Sequence, residues 1–180
     1  QVADYVKKIL NLEKAGHSGT LDPGVSGVLP IALEESTKVV QVLLPAGKEY
    51  VALAHFHKDL SEEEIRDAFE KFIGKIRQLP PVKSAVKREE RERTVYYMKI
   101  LEIEGKDVLF KVGCQGGTYI RKLIHDIGRT VGGAHMAELR RTKAGPFNEE
   151  HIKSLHDLSD AYYFYEKENK EDKIRECVFP

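Results

Sequence analysis

Two hydrophobic periodicities alternate along the chain. Tyr5, Val6, Ile9, Leu10 and Leu12 recur at helical spacing and predict a helix over 4–14, with Gly16 placed as its C-terminal glycine. Val28 to Leu33 is a short apolar run that reads as a buried strand. Ser36 to Leu44 reads as a helix capped by Ser36 or Thr37 and ended by Pro45. Tyr50 to His57 alternates as a strand does. Ser61 and Glu64 form a capping-box pattern ahead of Ile65, Phe69, Phe72 and Ile73, so a helix is expected over 61–73, closed by Gly74. Val95 to Ile103 and Val108 to Val112 predict a hairpin turning at Glu104-Gly105-Lys106-Asp107. Thr118 to Val131 predicts a helix with Ile120, Leu123, Ile124 and Ile127 inward. Residues 135–142 read as a strand, and the last forty residues as helical with a charge-rich end. Interspersed strands and amphipathic helices, with one hairpin, argue an α+β fold around a mixed, mostly antiparallel sheet.

Composition narrows the class. The 180 residues, 41% hydrophobic and 32% charged, suit one globular domain with a sizeable core. No apolar run is long enough to span a bilayer, and the start has no signal-peptide pattern. Cys114 and Cys177 are too few for a disulfide framework and fit a reducing compartment. The formal net charge is +0, yet its distribution is uneven. Residues 108–145 hold 7 basic and 2 acidic residues, whereas 146–180 hold 5 basic and 9 acidic. A basic segment beside an acidic end suits an RNA-facing surface next to a solvated or protein-facing one.

The densest chemistry lies at Gly16-His17-Ser18-Gly19-Thr20-Leu21-Asp22-Pro23, followed by Gly24, Ser26 and Gly27. Asp22 is a single carboxylate on a glycine-rich loop, and Pro23 pushes its backbone toward extended geometry. An Asp-Pro-Gly triplet by itself is an ordinary surface turn. The longer string, however, closely resembles the catalytic loop of pseudouridine synthases of the TruB and dyskerin type. Lys48-Glu49-Tyr50, Gly117-Thr118-Tyr119-Ile120-Arg121 and His135-Met136-Ala137-Glu138-Leu139-Arg140-Arg141-Thr142 follow in the family's order. The resemblance runs from about residue 2 to 165.

That resemblance implies the pseudouridine synthase fold, a mixed sheet flanked by helices with a central active-site cleft. It implies isomerisation of uridine to pseudouridine, with no cofactor. Asp22 matches the catalytic aspartate, acting as nucleophile or as base toward the sugar. Arg121 matches the arginine that pairs with it. A cation in the first turn of a helix opposes the helix dipole, so a nearby anion, Asp22 or a phosphate, would resolve the conflict. Tyr50 matches the active-site tyrosine, stacking on the base or sharing in removal of the C5 proton. His17 matches a residue beside the target nucleotide, and Tyr119 either lines the pocket or packs. Lys48 is expected at backbone or phosphate, and Leu139 as an apolar wall. Arg140 is expected as a structural or RNA contact. Arg141 and Lys143, with Lys83, Lys87 and Arg88, are expected on the RNA backbone, although Glu89, Glu90 and Glu92 interrupt the positive run there. His55 and His57 share a strand face and His125 adjoins Asp126, but no Cys/His spacing matches a zinc site. No metal is therefore expected.

Leu79-Pro80-Pro81-Val82-Lys83-Ser84-Ala85-Val86-Lys87-Arg88, Gly133-Ala134-His135-Met136 and Leu155-His156-Asp157-Leu158 resemble the dyskerin branch. The stretch after Tyr50 lacks the long insertion that the TruB branch uses to grip tRNA. The implied setting is the catalytic subunit of a box H/ACA ribonucleoprotein acting on ribosomal or other RNA. Guide RNA, substrate RNA and H/ACA accessory proteins are the implied partners, and no membrane is. The cytoplasm of an archaeon or the nucleolus of a eukaryote would be the place of action. The chain is expected to be one catalytic domain, 1–180, without the family's preceding Lys-Pro segment or following PUA domain. The alternatives are a stand-alone tRNA pseudouridine synthase and a non-catalytic scaffold; the latter would need none of Asp22, Tyr50 and Arg121.

Overall fold

The computed structural model describes residues 2–80 and 89–178. Helix α1 (Val2–Ile9) leads to strands β1 (Ala15–His17), β2 (Ser26–Gly27) and β3 (Ile31–Leu33). A 3-10 stretch, Glu34–Val39, runs into helix α2 (Val40–Leu43). Then come β4 (Lys48–Phe56), α3 (Glu62–Glu70), β5 (Gly74–Gln78), β6 (Arg91–Glu104), β7 (Asp107–Cys114) and α4 (Ile120–Val131). Strands β8 (Ala134–Ala144) and β9 (Phe147–Asn148) and helices α5 (Leu155–Glu168) and α6 (Glu171–Arg175) follow. The main sheet has the order β2-β8-β4-β7-β6-β5, with β9 pairing on β8; β1 and β3 form a separate ribbon. Among the described residues only β2 and β8 run parallel; the other pairings are antiparallel. The expected α+β architecture is therefore the observed one.

Strict alternation along β4 makes this sheet one-sided. Lys48, Tyr50, Ala52, Ala54 and Phe56 are buried while the residues between them are half-buried. The buried face meets Ile65, Ala68 and Phe69 of α3 and Ile120, Leu123, Ile124 and Ile127 of α4 in one cluster. Phe69 stands edge-on to Phe110 at 4.8 Å between centroids, the favoured aromatic geometry. A second cluster joins Val6 and Leu10 to Leu158 of α5. Among the described residues no helix is long and apolar enough to cross a membrane.

Several boundaries differ from expectation for identifiable reasons. Helix α1 stops at Ile9, not near residue 14, because Asn11 takes the left-handed φ of 51° and Leu12 N–H returns to the Lys7 carbonyl. Gly16 consequently lies in β1. The apolar run 28–33 is divided by Pro30, which cannot donate to a ladder, and only Ile31–Leu33 forms a strand. The segment expected as a helix from Ser36 begins earlier as 3-10 structure, with neither Ser36 nor Thr37 capping it; the Thr37 hydroxyl donates to the Glu34 carbonyl at 2.8 Å. Strand β5 was not foreseen, since Lys75 and Arg77 mask its alternation. Residues 143–144 and 147–148, within the stretch expected to be helical, belong to β8 and β9. The hairpin, the capping box at Ser61 and the four inward residues of α4 all match.

On the sheet face opposite Tyr50, Glu49 accepts hydrogen bonds from the Tyr97 hydroxyl at 2.5 Å and the Thr142 hydroxyl at 2.7 Å, with Lys111 Nζ at 3.4 Å. Burial pushes this carboxyl up, but the two hydroxyls and the lysine outweigh it and hold the pKa below the ordinary value. A lowered folded-state pKa contributes stability above the unfolded value and loses it as pH falls through the folded one. The urea midpoint of the wild type should therefore drop more steeply below about pH 4.3 than that of Glu49→Gln. Parallel acid profiles of the two proteins would exclude this role for Glu49.

Candidate active site

The aspartate loop spans the gap between β1 and β3 and is shaped by its own sequence. Val25 N–H bonds to the Asp22 carbonyl at 3.0 Å, closing a turn with Pro23 second and Gly24, at φ 80°, third. Proline supplies the fixed φ that the second position wants, and glycine the positive φ of the third. Gly27 is required for a different reason. A Cβ there would lie 2.1 Å from the Arg141 carbonyl oxygen, so only glycine lets the loop lie against β8. Val28 N–H then donates to that same carbonyl at 2.8 Å.

Arg141 clamps the loop from inside. Its residue exposure is 2%, its Nε donates to the Val28 carbonyl at 2.7 Å, and its Nη2 to the Gly19 carbonyl at 3.0 Å. This overturns the expectation of a phosphate contact: the guanidinium is committed to the backbone of its own chain. Lys48, expected at backbone or phosphate, takes the backbone alternative, and within its own chain. It is buried, and its ammonium donates to the carbonyls of Leu43, Leu44 and Ala46 at 3.2, 3.3 and 2.7 Å. It thereby satisfies the C-terminal carbonyls of α2 rather than a substrate. Burial and then the neighbouring Arg141 charge lower its pKa.

Asp22 and Arg121 meet. Arg121 Nη2 lies 2.9 Å from Asp22 Oδ2, with both side chains about half exposed, at 54% and 55%. The pairing expected from the motif is therefore present. A half-exposed pair contributes at most about 1 kcal/mol to stability, so its consequence is orientation of a carboxylate that an incoming group can still reach. Arg121 stands in the first turn of α4, whose N-cap residue, Tyr119, has no side-chain cap. Its backbone is held instead by Gln78: Tyr119 N–H donates to Gln78 Oε1 at 3.0 Å, and Gln78 Nε2 donates to the Tyr119 carbonyl at 3.1 Å. Gln78 is 3% exposed at the end of β5. It escaped sequence reasoning because a lone glutamine on an unrecognised strand carries no local signal.

Tyr50 lies directly across from Arg141 in the β4–β8 register and is buried. Burial raises its pKa, with the nearby Cys114 and Asp22 adding to the effect and Arg141 opposing it. The phenol stays protonated at neutral pH, so it can pack, donate a hydrogen bond or relay a proton but is no standing base. The Cys114 thiol, fully buried, is pushed up to about 12 by that burial and is not a nucleophile.

The remaining candidates divide. His17 is exposed at the mouth of a shallow cavity of about 500 Å³ shared with Lys7 and Lys14. The Tyr119 side chain is half-buried, and Leu139 is half-buried against the core opposite Ala52. Arg140 is exposed but bound to Glu149, with Ser26 Oγ 3.3 Å away, which fits the structural alternative. Lys143 is exposed. Lys83, Lys87 and Arg88 lie outside the described residues. Among the described residues no group of three His, Cys, Asp or Glu side chains is arranged to hold a metal ion.

Comparison with known proteins identifies the family. Residues 7–120 match the model of the TruB family pseudouridylate synthase N-terminal domain, and 121–180 that of the tRNA pseudouridylate synthase B C-terminal domain. Over the whole chain it is 59% identical to a probable tRNA pseudouridine synthase B of Methanopyrus kandleri and 60% identical to that of Pyrococcus abyssi. It spans 54% of the length of each. Among solved structures, a chain of a Cbf5-Nop10-Gar1 complex superimposes with a TM-score of 0.95 at 60% identity, over 99% of this chain and 55% of that one. A chain of an H/ACA ribonucleoprotein bound to a substrate RNA containing 2'-deoxyuridine gives 0.90 at 56% identity, over 99% and 54%.

Removing the clamp should show whether the loop depends on it. Arg141→Met leaves the Val28 and Gly19 carbonyls without their cationic donor, and hydrogen bonds to charged groups contribute roughly 1.5–3 kcal/mol each. The expected result, read from urea unfolding, is a fall in unfolding free energy of that order per bond lost. Lys143→Met should leave the unfolding free energy within about 0.5 kcal/mol of the wild type, as surface changes do. Equal stability of the two variants would show that Arg141 does not hold the loop.

Proposed function

The chain belongs to the TruB family of pseudouridylate synthases, and from that premise we propose that it is the catalytic unit of an RNA pseudouridine synthase that works within an H/ACA guide ribonucleoprotein. The observation that carries the reading is the 2.9 Å contact of Arg121 with Asp22 on a loop open to solvent. Conversion of uridine to pseudouridine breaks the N1–C1′ bond, turns the base and joins C5 to C1′. The C5 proton leaves and N1 gains one, so no redox partner is needed.

Each step has a residue suited to it. The Asp22 carboxylate, oriented by the planar fork of Arg121, attacks C1′ or removes a sugar proton. Tyr50 offers the detached base an aromatic wall and its phenol a proton path. Because Asp22 lies on a surface loop, the uridine must leave its helix to reach it. His17, at the end of β1 where that loop starts, stands beside the target nucleotide to help hold the base out of the helix, and exposed Lys143 serves the RNA backbone.

Two observations bear on the setting. The chains it superimposes on are described as Cbf5 in a complex with Nop10 and Gar1 and as an H/ACA particle bound to a substrate RNA. That supports recognition through a guide RNA and accessory proteins, since the chain carries no long insertion after Tyr50. The names of its curated relatives favour a second reading, a tRNA pseudouridine synthase acting without a guide.

Asp22→Asn should abolish pseudouridine formation with the thermal midpoint unchanged within about 2 °C, the replacement being near-isosteric on an exposed site. Arg121→Lys should keep only part of the activity, because lysine cannot hold a carboxylate bidentately. Normal turnover by Asp22→Asn would end the catalytic assignment.

Guide dependence separates the two settings. Reconstituted with an H/ACA guide and accessory proteins, the protein should modify the guide-paired uridine, and activity on free tRNA should be negligible. Efficient, site-specific modification of free tRNA without them would favour the second reading.

A further inference from the structure

On the sheet face opposite Phe56, three imidazoles gather where β4 ends and β8 begins. His55 stands across from Asp107 of β7 on one side and His135 of β8 on the other. Its Nδ1 lies 2.8 Å from Asp107 Oδ1. His57 Nε2 lies 3.1 Å from His135 Nδ1. The His135 ring is 5.2 Å from that of His55 and 5.3 Å from that of His57, centroid to centroid. The backbone is built around this group. Gly133 has φ 115°, and a Cβ there would come within 2.5 Å of His57 Nδ1. The His57 N–H meanwhile donates to the Gly133 carbonyl at 3.0 Å.

We propose that His57 and His135 form a binding site for a borderline transition-metal dication of the zinc class. Two nitrogens on a tetrahedral ion with bonds of about 2.0–2.1 Å are roughly 3.3 Å apart, and here they stand 3.1 Å apart. Only one of two neutral imidazoles can supply the hydrogen between them, so an ion replaces a single shared proton with little side-chain movement. Imidazole nitrogen suits zinc, nickel and copper, whereas magnesium and calcium require oxygen ligands. No three ligands among the described residues already converge, so two protein nitrogens hold the ion and water completes its shell. His55, tied to Asp107, packs its ring beside His135 and closes one side of the pair without ligating the ion. The ion would fasten the end of β4 to the start of β8. None of this rests on the proposed activity.

The test is calorimetric titration of the protein with zinc chloride, with thermal melts in parallel. One saturable site per chain is expected, and a midpoint that rises with zinc as preferential binding to the folded state requires. His57→Gln and His135→Gln should each weaken binding at least about tenfold, while His125→Gln, remote from the cluster, should not. Imidazole proton NMR of the unaltered protein keeps the question answerable if a variant fails to fold: zinc should move the His57 and His135 signals and leave His17 in place. Absence of saturable binding, or binding that survives both glutamine variants, or shifts confined to other histidines, would overturn the proposal.

Discussion

A guanidinium that is 2% exposed cannot be left without acceptors, and this requirement organises the functional end of the molecule. Arg141 reaches β8's buried face by sheet register, opposite Tyr50 on the central strand. Its acceptors are not sheet carbonyls but those of Val28 and Gly19, from the loop that carries Asp22. Burying the cation and shaping the loop are thus one event. Gly27 makes the approach sterically possible, and the parallel pairing of Gly27 with Arg141 fixes its register.

Buried groups hold this site and exposed groups act in it. Arg141, Lys48 and Gln78 are buried, and each satisfies main-chain atoms of a loop or a helix end. Lys48 fastens the turn after α2, and Gln78 sets the start of α4. Asp22 and Arg121, half exposed, are placed by these supports rather than by their mutual attraction. Such an arrangement leaves the carboxylate oriented but accessible. An incoming group can reach it without the protein having to unpack its core.

The sheet itself is asymmetric in use. One face of β4 is filled by Phe56, Tyr50 and the small Ala52 and Ala54 against α3 and α4. The other carries hydrogen-bonded polar groups, Glu49 with Tyr97 and Thr142 at one end and the three histidines with Asp107 at the other. The Asp22–Arg121 pair belongs to the end where α4 begins, and the imidazole cluster to the end where α4 gives way to β8.

Local sequence determined what local physics controls. Ser61 and Glu64 are three apart, which suffices for a capping box; Gly105-Lys106 forces the hairpin; and α4 shows its inward face through residues three and four apart. The family resemblance carried by four motifs was enough to expect Asp22 beside Arg121, because those side chains are named by their neighbours. It could not say which basic residues face water. Arg140, Arg141 and Lys143 are adjacent in sequence, yet one is sealed in the core, one engages Glu149 and one is exposed. That outcome depends on the β4–β8 register and its shifts at Glu49/Tyr50 and Leu53/Ala54. Gln78 likewise gained its role only when β5 brought it to Tyr119, 41 residues away. Such partners are chosen by long-range pairing, and a buried polar group takes whichever acceptor the fold delivers to it.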